Sequence, residues 1–297
     1  MSIAQKIIVI LGQTASGKSG LAVKLAKKFN GEIISADSRQ VYKGMDIGTG
    51  KISKREKQGI LHHLLDVASP KRRFTVAEYK KMALAAINKI FKKNKIPILC
   101  GGTGFYIQAV VDGIAIPEVK PDLLLRSGLN SLNTEALFEK IKKLDPRRAN
   151  TIDRYNRRRL IRAIEIAKKI GVVPVLQKNP LPYPVLMIGI KKSPEELKKL
   201  IKKRLLKRLK QGMIAEVKKL RQSGVSWKQL EEFGLEYRWL ARYLQSKLTR
   251  TVLVSLLQKD IEHFAKRQMT WFKRDNRIYW VKNYKEAKSL AQKFINK

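Results

Sequence analysis

The sequence predicts an α/β fold: a core whose parallel sheet is flanked by helices, interrupted by an all-helical insertion domain. Three observations carry that expectation. Short β-branched runs alternate with helical stretches through the first third; strand signals vanish between Pro117 and about Gly171; and a new strand run, Val185 to Ile190, follows a proline-rich connection ending VPVLQKNPLPYP. Alternation of strand and helix calls for right-handed crossovers and a sheet covered on both faces. Ligands of such sheets sit beyond the carboxyl ends of the strands.

Taken in order, Lys6 to Leu11 reads as the first strand, and GQTASGKS (residues 12–19) follows it before a helical stretch from Leu21 to Phe29. The pattern Gly12-Gln13-Thr14-Ala15-Ser16-Gly17-Lys18-Ser19 is that of a P-loop, so the core is expected to be a P-loop core. Successive backbone N–H groups wrap a phosphate, Lys18 adds a point charge, and the Ser19 hydroxyl is a ligand for Mg²⁺. Most such loops bind ATP or GTP, yet their chemistry suits any polyphosphate, including a diphosphate about to depart as a leaving group. Gly31 punctuates, and Glu32 to Ala36 reads as a second strand ending at Asp37. Thr75 with Glu78 forms a capping box before an amphipathic helix running to about Lys93. Ile96 to Cys100 is a third buried strand, ending in Gly101-Gly102. The loop, Asp37 and Gly101-Gly102-Thr103 therefore converge at the carboxyl ends of three strands.

After the insertion, Ser193-Pro194-Glu195-Glu196 opens a helix with an N-cap serine, a first-position proline and a capping-box glutamate. Leu197, Leu200, Ile201, Leu205, Leu209, Met213, Val217 and Leu220 then recur at helical spacing. The domain expectation is a core of residues 1–116 and 180–297, with residues 117–179 as the insertion.

Charge dominates the composition. Lys and Arg number 64 against 24 Asp and Glu, a net charge of +40. An excess this large points to a polyanionic partner, either nucleic acid or an anionic membrane. It is concentrated in the helical parts: Lys142 to Lys169 holds eleven Lys or Arg against three acids, and Lys191 to Arg221 thirteen against three. The apolar run Ile7 to Leu11 is too short for a membrane span or a signal segment. The single cysteine, Cys100, excludes an internal disulfide and fits a reducing cytosol, so a cytoplasmic location is expected.

Among polar residues, Asp37 begins the cluster Asp37-Ser38-Arg39-Gln40-Val41-Tyr42. A carboxylate after a strand often only caps the next turn; beside bound phosphate it could hold Mg²⁺ or act as a general base. The adjacent His62 and His63 lack other ligands at metal spacing and read as structural. Thr103, after two glycines, could offer its hydroxyl to a ligand approaching the backbone. Arg204 could clamp a second phosphate, since a guanidinium binds oxyanions bidentately.

Longer motifs appear in order: GQTASGKS, ISADSRQVYKGMDIGTGK (34–51), HHLLD (62–66), FTVAEY (74–79), GGTGFYIQAVVDG (101–113), RLIRAIEI (159–166), KRLLKRLKQGMIAEV (203–217) and FAKRQMTWFKRD (264–275). Together they closely resemble the tRNA dimethylallyltransferase (tRNA isopentenyltransferase, or IPP transferase) family, from about residue 6 to about 282. The resemblance implies transfer of a dimethylallyl group from dimethylallyl diphosphate to the exocyclic amine of the adenine just 3′ of the anticodon. The acceptors are tRNAs reading codons that begin with U; diphosphate leaves and Mg²⁺ is required. By the same resemblance Asp37 accepts the amine proton, Thr103 helps orient the adenine, and the loop with Lys18, Ser19–Mg²⁺ and Arg204 stabilises the diphosphate. Asp37, Ser38, Arg39 and Gln40, with Thr103, and the stretch Arg158, Arg159, Leu160, Ile161 and Arg162 match tRNA-contacting segments, and the insertion is expected to grip the anticodon stem-loop. Three departures stand out. Gln13 occupies a usual proline position, an exchange expected to loosen the loop's lead-in; the region after Pro117 is shorter than usual; and Arg154-Tyr155-Asn156-Arg157 replaces a more typical Asn-Asp pair.

Two other readings compete. A P-loop small-molecule kinase using ATP explains the loop but leaves the +40 charge idle. A non-catalytic RNA-binding protein explains the charge but not the convergence on the loop. Nothing demands more than a monomer.

Overall fold

The computed structural model describes residues 5–297. The chain divides into two compact units, one running up to Gly113 and resuming over Pro180–Lys297, the other spanning Ile114–Asn179.

The first unit is built on β1 (Ile7–Gly12), α1 (Lys18–Lys28), β2 (Gly31–Ser35), α2 (Lys54–Lys57), β3 (His62–His63), α3 (Val76–Phe91), β4 (Ile96–Gly101) and α4 (Gly104–Val111). The second contains α5 (Leu123–Ser131), α6 (Thr134–Leu144), α7 (Pro146–Ala149) and α8 (Arg157–Ile170). The first unit resumes with β5 (Val185–Ile190), α9 (Pro194–Lys210), α10 (Met213–Gln222), α11 (Trp227–Phe233), α12 (Leu235–Leu244), α13 (Arg250–Phe272), β6 (Ile278–Val281) and α14 (Tyr284–Asn296). All six strands form one sheet in the order β3-β2-β4-β1-β5-β6, and every pairing is parallel.

Period-two alternation explains why β1 is apolar throughout. Ile7, Val9 and Leu11 point into one core and Ile8 and Ile10 into the other. α3, α4, α9 and α13 supply Tyr79, Ile107, Ile201 and Leu257 to the first core. α1 and α14 supply Leu25, Ala287 and Ala291 to the second. A central parallel strand buried on both faces has no polar side to spare. Each fully buried Ile or Leu contributes about 1.5–3 kcal/mol by leaving water.

Local signals set most helix starts. The Thr75–Glu78 capping box forms in both directions at the head of α3. Ser193 caps α9 with Pro194 in its first turn. The box expected there is only half made, because Glu196 accepts instead from Lys192 Nζ at 2.7 Å. The helical spacing from Leu197 to Leu220 also covers two helices rather than one. Gly212, at φ +98°, breaks the run between α9 and α10, a conformation that favours glycine.

Two sheet-edge elements carry little sequence signal. β3 is a two-residue strand, paired to β2 through Ile33–His62 and Ile34–His63. β6 is four residues long and pairs with β5. The histidines are part of that edge: His63 Nε2 lies 2.8 Å from Glu32 Oε2, and His62 Nδ1 lies 2.9 Å from the Ile60 carbonyl.

The insertion has its own apolar centre, including Leu129, Leu137, Ile141, Leu160 and Ile164. Buried Glu165 holds it together as well, accepting from Arg126 Nε and Nη2 at 2.6 Å each and from Asp122 N at 3.0 Å.

Candidate active site

The P-loop leaves β1 at Gly12 and enters α1 through Gly17, which adopts φ +93° as the N-cap. No side chain caps α1, and its first turn contains no acid. The backbone N–H groups there are thus open to an anion, favoured by the helix dipole. Ser16 Oγ is buried without a hydrogen-bond partner, a polar atom whose desolvation a bound oxyanion would offset. Lys18 Nζ donates to the Gln13 carbonyl at 2.8 Å. Burial pulls its ammonium down to about 8, and the nearby Arg204 charge adds to that effect.

α13 braces the loop. Gln268 accepts from Thr14 N at 2.7 Å and donates to the Gly102 carbonyl at 2.8 Å. One side chain therefore joins the P-loop to the glycine turn after β4. A Cβ on Gly102 would collide with the Gln268 amide, which explains a glycine at that point. Gln13 does not loosen the loop's lead-in, as its replacement of proline led us to expect. It is buried, and its amide donates to the Ala265 carbonyl of α13 at 3.0 Å.

Beyond β2, Asp37 Oδ1 accepts from Arg39 N at 2.9 Å and Gln40 N at 3.4 Å. One oxygen thus closes an Asx turn, while Oδ2 has no hydrogen bond among the described residues. Thr103 N donates to the Ala36 carbonyl, and Thr103 Oγ1 accepts from Ser38 N at 3.0 Å. The hydroxyl proton of Thr103 faces no acceptor in these contacts. Thr103 and the Asp37 turn are therefore latched together across adjacent strands β4 and β2.

Arg204 extends from α9 to Thr14 Oγ1 (3.2 Å) and to the Gly50 carbonyl (3.4 Å). Both partners are neutral, so its charge is not cancelled by direct pairing. Burial, and then the charge of Arg208, bring its guanidinium down to about 10, which leaves it cationic at neutral pH. The site thus unites Lys18, Arg204, Asp37, Thr103 and the open N-terminus of α1. For a divalent cation it offers the exposed Ser19 hydroxyl and the Asp37 carboxylate. Among the described residues no group of three or more His, Cys, Asp or Glu could hold a metal. That sparse oxygen set fits Mg²⁺ taking most of its ligands from phosphate oxygens and water.

Other expected contacts are tied up elsewhere. Arg39 Nε donates to the Phe233 carbonyl at 2.8 Å and its guanidinium lies 5.8 Å from the Phe233 ring. Gln40 Nε2 reaches the Gly50 carbonyl at 3.5 Å. In the insertion, the side chains of Leu160 and Ile161 are buried in the unit's own core, which leaves their neighbours to present the exposed face of that stretch. Arg162 donates to the Val119 carbonyl at 2.8 Å and to Glu165 at 3.3 Å. Arg158 and Arg159 are exposed. Beside them Tyr155 is exposed too, and Arg154 lies 5.1 Å from the Phe138 ring and 5.5 Å from the Tyr155 ring.

The fold and site define a P-loop protein whose phosphate cradle faces a carboxylate and a hydroxyl. Residues 40–275 match the model of the IPPT family, IPP transferase, and the chain belongs to that family. It is 43% identical to tRNA dimethylallyltransferase 2 of Citrifermentans bemidjiense, over 98% of this chain and 95% of that one. Its structure is similar to the tRNA isopentenylpyrophosphate transferase of Bacillus halodurans, with TM-score 0.73, 34% identity and coverage of 98% and 96%. It is also similar to a eukaryotic dimethylallyltransferase solved acting on tRNA, with TM-score 0.84, 28% identity and coverage of 98% of this chain and 79% of that one. Among the described residues no helix is long and apolar enough to cross a membrane.

Proposed function

We propose that this protein transfers a dimethylallyl group from dimethylallyl diphosphate to N6 of the adenine 3′-adjacent to the anticodon, in tRNAs reading U-initial codons. The observation that carries the reading is the pairing of uncompensated cations, Lys18 and Arg204, with a carboxylate oxygen of Asp37 left open across the same strand ends.

The donor's allylic C–O bond breaks, its electrons pass to the diphosphate, and the adenine nitrogen bonds the allylic carbon. Charge develops on the departing diphosphate, and fixed N–H groups and cations oppose it most strongly in that transition state. Lys18, Arg204 and the N–H groups of residues 13–19 take this role. The exocyclic amine is a weak nucleophile, so its proton leaves as the new bond forms, and Asp37 accepts it. The Thr103 hydroxyl orients the adenine. When bound, Mg²⁺ would be held through the Ser19 hydroxyl and would supply additional charge neutralisation. An adenine stacked in the anticodon loop is extruded to reach this pocket, as other base-modifying enzymes require. The insertion contacts the anticodon stem-loop through Arg158 and Arg159, and its cationic surface offsets the cost of unstacking. The protein acts in the cytoplasm as a monomer.

The test is incubation with unmodified tRNA, Mg²⁺ and labelled dimethylallyl diphosphate, with labelled ATP in a parallel reaction. Isoprenoid label entering tRNA is the expected result. Label entering an acceptor from ATP alone would replace this reading with the kinase.

A further inference from the structure

Arg204 does not aim itself. Its guanidinium crosses the backbone of the loop Asp46-Ile47-Gly48-Thr49-Gly50, and a Cβ on Gly50 would overlap that guanidinium. The loop has no strand or helix of its own. It is held instead by side chains from three helices that lie more than 150 residues further along the sequence. Glu216 of α10 accepts from Asp46 N at 2.8 Å, Ile47 N at 2.6 Å and Gly48 N at 2.9 Å, and from Tyr237 Oη at 2.8 Å. Arg208 of α9 donates to the Ile47 carbonyl at 3.3 Å and the Gly48 carbonyl at 2.6 Å. Its Nη2 donates to Glu236 Oε1 of α12 at 2.7 Å, and both members of that pair are buried. A loop spanned by a carboxylate on its N–H groups and a guanidinium on its carbonyls is fixed from both sides.

Resting on the transferase reading above, we propose that Glu216, Arg208 and Glu236 are positioning residues. They hold the 46–50 loop as the shelf on which Arg204 is aimed at the departing diphosphate. The arrangement also keeps that cation uncompensated. Of the acids whose charges reach Arg204, Glu236 is engaged by Arg208 and Glu56 by its capping box with Ser53, while Asp37 acts on it through space with no hydrogen bond between them among the described residues. Buried networks of this kind act as a unit, because losing one member leaves the others unsatisfied.

The experiment is a double-mutant cycle, since residues acting through one group give non-additive effects. Arg204→Ala should lower kcat by roughly 10²–10³, the loss typical of one donor to a developing oxyanion. Glu216→Gln should lower kcat at least tenfold with tRNA affinity unchanged. In the Arg204→Ala background Glu216→Gln should add less than about threefold, because there is no longer a guanidinium to aim. Gly50→Ala leaves the Glu216 bonds in place and covers the case where Glu216→Gln fails to fold. It should cost kcat in the wild type and much less in Arg204→Ala, where its Cβ has room and only the backbone strain of an alanine at φ +61° remains. Multiplicative losses in both cycles would overturn the proposal. So would a Glu216→Gln variant with wild-type kcat and altered tRNA affinity. Titration of the same variants with inorganic diphosphate separates the two readings. Non-additive loss of diphosphate affinity supports the shelf even if no isoprenoid reaches tRNA, and additive loss sinks it.

Discussion

The two ends of the same sheet handle charge in opposite ways. At the amino end, Glu32 at the start of β2 is buried and ringed by hydrogen-bonding partners: His63 at 2.8 Å, Lys93 at 3.0 Å and Lys95 at 3.0 Å. Burial pushes this carboxyl up, but the hydrogen bonds from His63, Lys93 and Lys95 outweigh it and hold it at about 2. At the carboxyl end, Lys18 and Arg204 hydrogen-bond, among the described residues, to carbonyl and hydroxyl oxygens only. One end spends its charges on the fold, and the other keeps them available for a ligand. The difference identifies the working end without reference to any motif.

Breaking the carboxyl end should have the largest effect. Asp37→Ala is expected to lower turnover by about 10²–10⁴, the contribution of a positioned proton acceptor. Affinity for tRNA, measured by filter binding, should stay near wild type; collapse of binding would make Asp37 a recognition residue. Next comes the depressed ammonium. Because Lys18 must be protonated to hold diphosphate, kcat/KM for the donor should fall as pH rises through about 8. The limb in kcat should lie higher, since bound diphosphate favours the charged lysine. A pH profile of the free enzyme without a limb near that value would remove Lys18 from phosphate binding.

At the amino end the readout is stability. Glu32→Gln strips the counter-charge from two lysines and should cost about 2–3 kcal/mol in denaturant unfolding, below the usual figure for a buried pair because Lys93 and Lys95 are partly solvated. Turnover should not change. The sign follows from the depressed carboxyl: its contribution is complete above the ordinary value of 4.5 and is lost as pH falls toward 2. Glu32→Gln should flatten the acid limb of the stability curve over that interval. The smallest effect belongs to Lys93→Met, since Lys93 is 38% exposed and two partners remain; about 0.5–1 kcal/mol is expected.

Much of this architecture is legible locally. The P-loop, the β-branched runs of β1, β2, β4 and β5 and the Thr75 box are short-range patterns, and each fixes an element near its own residues. The same holds for Asp37 and Thr103, placed at strand ends by the strands that precede them. Gln268 and Glu216 are different. Their partners lie 254 and about 170 residues away, and no periodicity links a glutamine in one helix to a loop made long before. The sequence does mark where these side chains arrive, through Gly50 and Gly102. Those glycines are demanded by the close approach of Arg204 and Gln268, which only the packed structure discloses. Leu160 and Ile161 illustrate the converse, with side chains that only the packed structure shows to be buried. A stretch matched as a block contains two faces of one helix, and only the exposed face can meet a partner.

The Gln268 bridge also has a consequence for synthesis. The side chain that ties the P-loop's Thr14 N–H to the glycine turn after β4 is made 254 residues after the loop itself. Contacts of such sequence separation form late, after the intervening chain has been ordered. A nascent chain can therefore carry the complete P-loop motif through those 254 residues without the brace that fixes the loop.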